Sequence, residues 1–592
     1  MPSEKSGRIR EILSVRHEKA SYFLTFYVTK RHQLSIDRSG IEGMPMAALL
    51  AHARIKLDSD TPAKVVVVQR NSINSGWKVD AINNGQSVIG GIEPHLEEIV
   101  KEAVAAGLLS ATHHYYDIAD ADMILICVQT DKKGFEPDYG PMFEALTALA
   151  EVLQKKPEEK VPVIVFESTL APSSMGTVIQ EHFEKFGLIE GQDILLGNSP
   201  NRVMPGRLVE RISDSDKLVA GLHPETGRII KTVYEHIVTK GKLFITNSLS
   251  AEITKTLENA YRDVRIAFST EVVRYCDQHD LDFYHLRDKV NKRLSLEDEA
   301  SFNPNAVPSG GLLIPTLGVG GHCLPKDGIL LLWRKIESGS DTSDSLLLKA
   351  REINEASPAE TIRLAERKFG SLRYKKIAIL GTAYRFNSED TRNSPSIVLA
   401  SALMGREVEV ILHDPFVKKD DQNLLKAGLV KYFTNDLEAA IREANLILFA
   451  TGHKIYLTKI ERILRGAKKL NGIIDACNLF NRATMESAEM SYTGIGRGSK
   501  IPDKKFIDFV HDTFKIVEKG CSNEVVQTIQ FLNDHFVTES YNKADFKNIR
   551  KLAASCNTAC DLVPPGPVAP LHDYRGFIPL LALCAAKQFC LI

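Results

Sequence analysis

The sequence predicts an α/β protein: two doubly wound, Rossmann-like domains joined by a long central helix. Three observations carry that expectation. Short apolar runs alternate with helical patterns in two separate regions, the signature of parallel βα units. A continuous helical pattern fills the stretch between them. At 592 residues the chain is also too long for a single core.

Residues 1–37 form an atypical N-terminal segment. Its first twenty residues, MPSEKSGRIREILSVRHEKA, are charged and lack the apolar run of a secretory signal, and QLSID, just before residue 38, reads as a poor strand. The first α/β domain is expected over 38–245. It opens with RSGIEGMPMAALLAHARI, which looks like the turn and first helix of a dinucleotide fold. Backbone N–H groups at such a helix start hold a pyrophosphate. Gly40 and Gly43 stand in this loop, and Arg38 takes the place of the first glycine of the usual pattern. Strands are expected in AKVVVVQR (63–70), DMILICVQT (122–130), VPVIVFEST (161–169) and DILLGNSP (193–200). Gln69 and Arg70 end the first of these, where an acidic residue would bind the adenine ribose, so the choice between NAD and NADP stays open. FESTLAPSSMGT (166–177) follows a strand with small hydroxyl residues, suited to a nicotinamide pocket or to an ordinary strand-end turn.

The central region, 246–365, begins with SAEITKTLENAYRDVRIAFSTEVVRYCDQHD, whose Ile253, Leu257, Ala260, Val264 and Ala267 recur at helical spacing. Ser250 is expected to cap this helix, with Glu252 in its first turn. Lys255 and Asn259, four apart, share one face. A helix of this length between two α/β domains is expected to serve as a spine and as a dimer seam. LEDEASFNPNAVPSGG (296–311) reads as a loop leading into GVGGHCLPKDG (318–328). There the glycines permit a tight turn and a close ligand approach, and a helix begins at the following proline. Cys323 thus stands near a helix N-terminus and three residues from Lys326; both favour the nucleophilic thiolate. The competing reading is a small buried hydrophobe on a glycine turn.

The second α/β domain, 366–500, holds strands in KKIAILG (375–381), EVEVILHDP (407–415), ANLILFATG (444–452) and NGIIDACN (471–478). Its turn GTAYRFNSEDTRNSPS (381–396) carries Arg385 and Arg392, apt for a pyrophosphate, or alternatively for a surface ion-pair network with Glu389 and Asp390. Residues 501–592 add a helical extension ending in a short apolar tail, FIPLLALCAAKQFCLI, below the length of a spanning helix. The 74 basic and 75 acidic residues give a net charge of −1, so no global field draws the chain to nucleic acid or to an anionic membrane. Nine scattered cysteines fit a reducing cytoplasm better than a disulfide scaffold, and CNTAC lacks the second ligand pair of a zinc site, so no metal is expected.

Read in order, GIEGMPMAALLA, FESTLAPSSMGT, SPNRVMPGR, AEITKTLENAYR, GVGGHCLPKD, LGTAYRFNSEDTRNSP, VILHDPFV and IIDACN resemble the UDP-glucose/GDP-mannose dehydrogenase family, the nucleotide-sugar 6-dehydrogenases. The VMPGR and GVGGHC spellings look closer to enzymes acting on UDP-N-acetylhexosamines. The resemblance implies oxidation of the C6 alcohol of a UDP-sugar, UDP-ManNAc or UDP-GlcNAc, to the uronate, with two NAD and a cysteine thioester. It implies Cys323 as nucleophile, Lys255 and Asn259 as oxyanion and water-positioning groups, and Asp327 assisting proton transfer. Gly40, Gly43, Gln69, Arg70, Thr130, Ser168, Thr169 and Lys326 would lie at the cofactor, and Asn201, Arg202, Gly320, Arg385 and Arg392 at the substrate. A homodimer is implied as well. The family's glutamate after the proline of SPNRVMPGR is replaced by Asn201. A non-catalytic UDP-sugar-binding relative, a UDP-glucose 6-dehydrogenase and a one-step alcohol dehydrogenase are the competing readings.

Overall fold

The structure, a computed structural model, describes residues 33–37, 43–57, 60–73, 75–89, 93–157, 160–203, 206–297, 311–487, 490–556, 560, 562–569 and 571–589. Two compact units divide the chain: Met1–Leu257 with Thr528–Thr558, and Glu258–Gln527 with Ala559–Ile592.

In the first unit the strands are β1 (Gln33–Asp37), β2 (Lys64–Val68), β3 (Leu109–Thr112), β4 (Met123–Ile126), β7 (Val163–Phe166), β8 (Leu195–Asn198), β9 (Lys217–Gly221) and β10 (Leu243–Asn247). Between β4 and β7 an antiparallel pair, β5 (Asp131–Lys133) and β6 (Glu136–Asp138), stands apart. The eight strands run in the order β10-β9-β8-β7-β4-β1-β2-β3. All pairings are parallel except β8 with β9. Helix α1 (Gly43–His52) follows β1. Its Met46 and Leu50 pack in one core with Val65 and Val67 of β2 and Leu125 of β4, because parallel strands covered on both faces must be apolar throughout.

QLSID, expected to be a poor strand, is β1 and lies in the interior of this sheet. It pairs with β2 on one side, Gln33 opposite Lys64, and with β4 on the other, Leu34 opposite Met123. Two hydrogen-bonded neighbours secure a strand whose polar Ser35 and Asp37 weaken its local propensity.

In the second unit, helix α2 (Ser248–His279), which begins in the first unit, continues as the spine. Helix α3 (Leu324–Glu337) carries the Cys323 turn at its start and α4 (Leu346–Glu355) follows. The second sheet consists of β11 (Lys376–Leu380), β12 (Glu409–His413), β13 (Phe433–Thr434), β14 (Leu446–Phe449), β15 (Gly472–Asp475) and β16 (Tyr492–Gly494). Its order is β13-β12-β11-β14-β15-β16, parallel throughout, with α5 (Pro395–Met404) after β11. Each of the eight expected apolar strands is present. Missing from the expectation were β3, β5, β6, β9, β10, β13 and β16, whose runs of two to five residues carry polar, charged or Gly residues in place of a continuous apolar run.

Two further expectations are corrected. The cap of α2 is Asn247, whose Oδ1 accepts the Ser250 N–H at 2.8 Å, and Ser250 stands inside the first turn. Glu252 instead accepts the Ser173 and Met175 N–H groups at 2.7 and 2.9 Å, tying the 166–177 turn to the helix start. The apolar tail is helix α7 (Leu580–Phe589), with Leu581, Ala582 and Ala585 fully buried. It follows α6 (Lys504–Phe536), a helix as long as the spine. Among the described residues no helix is long and apolar enough to cross a membrane.

Candidate active site

In the first unit, the strand order reverses between β1 and β4, and the crevice at their C-terminal ends is where an open parallel sheet takes its ligand. Gly43 is the first residue of α1 and is buried; Gly40 lies outside the described residues. Thr130 and Thr169 are brought together there, the Thr130 hydroxyl donating to the Thr169 carbonyl at 2.8 Å. Ser168 donates to the Val128 carbonyl at 2.5 Å. These bonds tie the Thr130 and Ser168 hydroxyls to neighbouring backbone carbonyls. Gln69 is buried, with its N–H donating to the Thr112 carbonyl, whereas Arg70 points outward to Glu144 at 3.5 Å.

Asn201 is buried on the turn after β8. Its Oδ1 accepts the Val203 N–H at 3.0 Å, and its Nδ2 has no hydrogen-bond partner among the described residues. Arg202 beside it is half-buried. Behind this turn, and unremarked in the sequence, Glu167 is fully buried and receives Lys217 at 2.7 Å and the Tyr234 hydroxyl at 2.5 Å. Burial first, and then the charge of Glu167, drives the Tyr234 hydroxyl well above its ordinary pKa.

The second unit holds the thiol. Cys323 is half-buried at the N-terminus of α3, and its carbonyl accepts the Lys326 and Asp327 N–H groups at 3.1 and 3.0 Å. Lys326, expected near a cofactor, is buried and turns its ammonium to Asp327 at 2.7 Å. The other Asp327 oxygen accepts from Asn259 Nδ2 at 2.6 Å. Both carboxylate oxygens are thus held by side chains from two helices, the geometry a buried charge requires. Lys255 stands one turn before Asn259 on α2 and is buried.

The glycines of the motif also meet a packing demand. A Cβ on Gly320 would lie 2.6 Å from the Tyr384 Cβ and 2.9 Å from the Asn393 carbonyl oxygen, and one on Gly321 would lie 2.9 Å from the Tyr384 ring. Gly321 has φ +86°, donates its N–H to the Arg392 carbonyl at 2.8 Å and accepts from Asn393 Nδ2. The cysteine turn is therefore seated directly on the 381–396 turn of the second sheet. Cys323 comes within electrostatic reach of the Tyr384 hydroxyl and the Arg392 guanidinium. Burial, and then Asp390, raises the Tyr384 pKa.

Arg392 is forked onto Asp390, its Nε and Nη2 donating at 3.0 and 2.6 Å, so the ion-pair alternative describes its present partner. Arg385 lies 5.5 Å over the Phe386 ring. Arg262, which the sequence reading passed over, belongs with it: partial burial and then the charges of Arg265 and Arg385 lower its pKa. Its position three residues after Asn259 on the helix was the available signal. Arg265 itself is buried and donates to the Gly311 carbonyl at 2.6 Å. At the end of β12, Asp414 is turned inward and accepts the Thr382 and Ala383 N–H groups and His453 Nε2. Burial would raise its pKa, but His453 and these donors outweigh it and hold the carboxyl below its usual range.

Comparison with known proteins places this geometry. Three family models match along the chain: the NAD binding domain of the UDP-glucose/GDP-mannose dehydrogenase family over residues 39–238, its central domain over 249–356 and its UDP binding domain over 378–482. The UDP-N-acetyl-D-mannosamine dehydrogenase of Pyrococcus horikoshii is 29% identical over 424 residues, 71% of this chain and 91% of that protein. An NDP-N-acetyl-D-galactosaminuronic acid dehydrogenase of Ralstonia nicotianae is 28% identical, over 71% of this chain and 90% of its own. Among solved structures, the NDP-N-acetyl-D-galactosaminuronic acid dehydrogenase of Methanosarcina mazei Go1 superimposes with a TM-score of 0.65 at 29% identity, over 79% of this chain and 96% of that one. The Pyrococcus horikoshii enzyme gives 0.65 at 28%, over 79% and 99%.

Proposed function

Because the chain belongs to the UDP-glucose/GDP-mannose dehydrogenase family, we propose that it oxidises the C6 alcohol of a UDP-N-acetylhexosamine, UDP-N-acetyl-D-mannosamine foremost, to the uronate through a thioester on Cys323. It is an NAD-dependent nucleotide-sugar dehydrogenase; the first unit carries the family's NAD-binding domain. The β1/β4 crevice and the small polar Thr130, Ser168 and Thr169 beside it suit a dinucleotide, which when bound accepts hydride from the sugar carbon.

The observation that carries the reading is the buried Lys326–Asp327–Asn259 assembly immediately behind Cys323. Its role is to fix the first turn of α3, and so the sulfur, while holding a carboxylate ready for a proton. In the proposed sequence, the C6 alcohol loses one hydride, and its hydroxyl proton passes to solvent, giving the C6 aldehyde. The Cys323 thiolate adds to it, forming a C–S bond, and Lys255 and Asn259 stabilise the oxyanion. A second hydride leaves C6, producing the thioester. Asp327 takes a proton from water, the resulting hydroxide adds to the thioester carbon, and the C–S bond breaks to give the carboxylic acid and the thiolate, after which the acid and Asp327 each release a proton to solvent. Asn201 cannot take a proton as a carboxylate does; its Nδ2, without a partner among the described residues, is assigned a hydrogen bond to the substrate. Arg262 and Arg385 are assigned to the diphosphate.

The preference for an N-acetylated sugar is supported by the relatives from Pyrococcus horikoshii and Ralstonia nicotianae. Steady-state rates with UDP-N-acetyl-D-mannosamine, UDP-N-acetyl-D-glucosamine and UDP-glucose test it. The expected kcat/KM is highest for UDP-N-acetyl-D-mannosamine, and at least about tenfold lower for UDP-glucose, which lacks the acetamido contact. Preference for UDP-glucose would overturn the substrate assignment, and nucleotide-sugar binding without NADH formation would favour the non-catalytic reading.

A further inference from the structure

Helix α2 lies almost wholly within protein. From Ala260 to Cys276 only Arg262 is exposed, and Tyr261, Val264, Phe268, Val272 and Cys276 are buried on successive turns. A helix expected to offer a seam to a second copy is covered on one face by residues 311–313 and α4, through Asp263, Arg265 and Ser269, and on the face bearing Tyr261, Phe268 and Tyr275 by the C-terminal extension. The Tyr261 hydroxyl donates to Glu518 of α6 at 2.6 Å, the Phe268 and Phe514 rings lie 5.5 Å apart, and the Tyr275 and Phe506 rings 5.0 Å apart. Positions rising by seven along α2 meet falling positions along α6, so the two helices run antiparallel, with the α2 contacts at a heptad spacing.

When two copies of one helix pack through the same patch about a two-fold axis perpendicular to the helix, the pairing is antiparallel. Helix α6, with 33 residues against the 32 of α2, supplies that geometry within one chain. The cover is then locked. Glu271 of α2 accepts the Leu580 and Leu581 N–H groups at the start of α7, at 2.6 and 3.1 Å. Phe577 stacks on Tyr275 at 4.5 Å, and the Tyr574 hydroxyl donates to Asp503 at 2.7 Å. Helix α7 crosses α6 at Gly520, where an added Cβ would lie 2.3 Å from the Ala585 Cβ. Glu524 of α6 accepts the Leu346 N–H and the Ser345 hydroxyl, capping α4.

The last family match stops at residue 482, and the solved relatives are spanned to 96% and 99% of their lengths by 79% of this chain. About a fifth of the chain is thus additional to them. We infer that α6 and α7 take the place of a second copy along α2, so that the protein is a monomer whose spine is sealed in cis.

Sedimentation velocity and hydrogen exchange on the full-length protein test this together. The expected result is the mass of a single chain, with exchange in peptides spanning residues 261–275 unchanged over a dilution of about a thousandfold. A two-chain species overturns the inference, as does protection of α2 that falls on dilution. The Phe514→Glu protein separates the cover from the rest of the fold: exchange in 261–275 should quicken at least about tenfold while the β11 and β14 peptides keep their protection. Unchanged exchange in α2 would show that α6 is not what seals it.

Discussion

At the scale of single residues, the cysteine turn depends on space as much as on chemistry. Gly320 has no room for a methyl group against Tyr384 and the Asn393 carbonyl. Gly320→Ala should therefore cost about 1–3 kcal/mol and lower kcat more than it raises KM, because overpacking moves the turn that carries the sulfur. Urea unfolding beside steady-state kinetics checks this; an unchanged kcat would mean that the seat of the turn does not position Cys323. Asp263 shows a different balance. It is buried, receives Arg351 at 2.7 Å and Asn354 at 2.8 Å, and yet burial outweighs both and raises its pKa to about 6. A folded pKa above the unfolded value means stability that is present below about pH 4 and lost as pH rises through about 6. The wild-type urea midpoint should accordingly fall across that window relative to the Asp263→Asn protein, whose midpoint lacks this component. A parallel course for the two proteins would assign the pH dependence elsewhere.

At the scale of elements, the spine begins one turn earlier than its apolar periodicity suggests. Asn247 caps it and, through Nδ2, also donates to the Tyr541 and Lys543 carbonyls at 2.8 Å, whereas the Ser250 hydroxyl has no hydrogen-bond partner among the described residues. Asn247→Ala should cost about 1–2 kcal/mol and Ser250→Ala less than about 0.5 kcal/mol, read from thermal or urea unfolding. The reverse order would restore Ser250 as the cap. The same comparison shows how far local pattern reaches. Runs such as VVVV and IAIL are apolar on both faces and announce buried parallel strands. QLSID does not, because its place between β2 and β4 depends on partners distant in sequence.

At the scale of the whole molecule, two doubly wound sheets and the spine were legible from the alternation of short apolar runs and helices, and the thiol turn from its glycines, Lys326 and Asp327. What could not be read was tertiary. The seating of Gly320 and Gly321 on Tyr384, the Glu167–Lys217–Tyr234 cluster, and the folding of the extension onto α2 all join residues far apart in the chain. The reading of the molecule as a dehydrogenase that completes both oxidations on one sulfur is its central claim. Counting NADH released per sugar consumed, with the uronate identified as product, tests it most directly when wild-type and Cys323→Ala proteins are compared. The account predicts two NADH per sugar for the wild type and no uronate from the Cys323→Ala protein. Two NADH and uronate from the Cys323→Ala protein would contradict it.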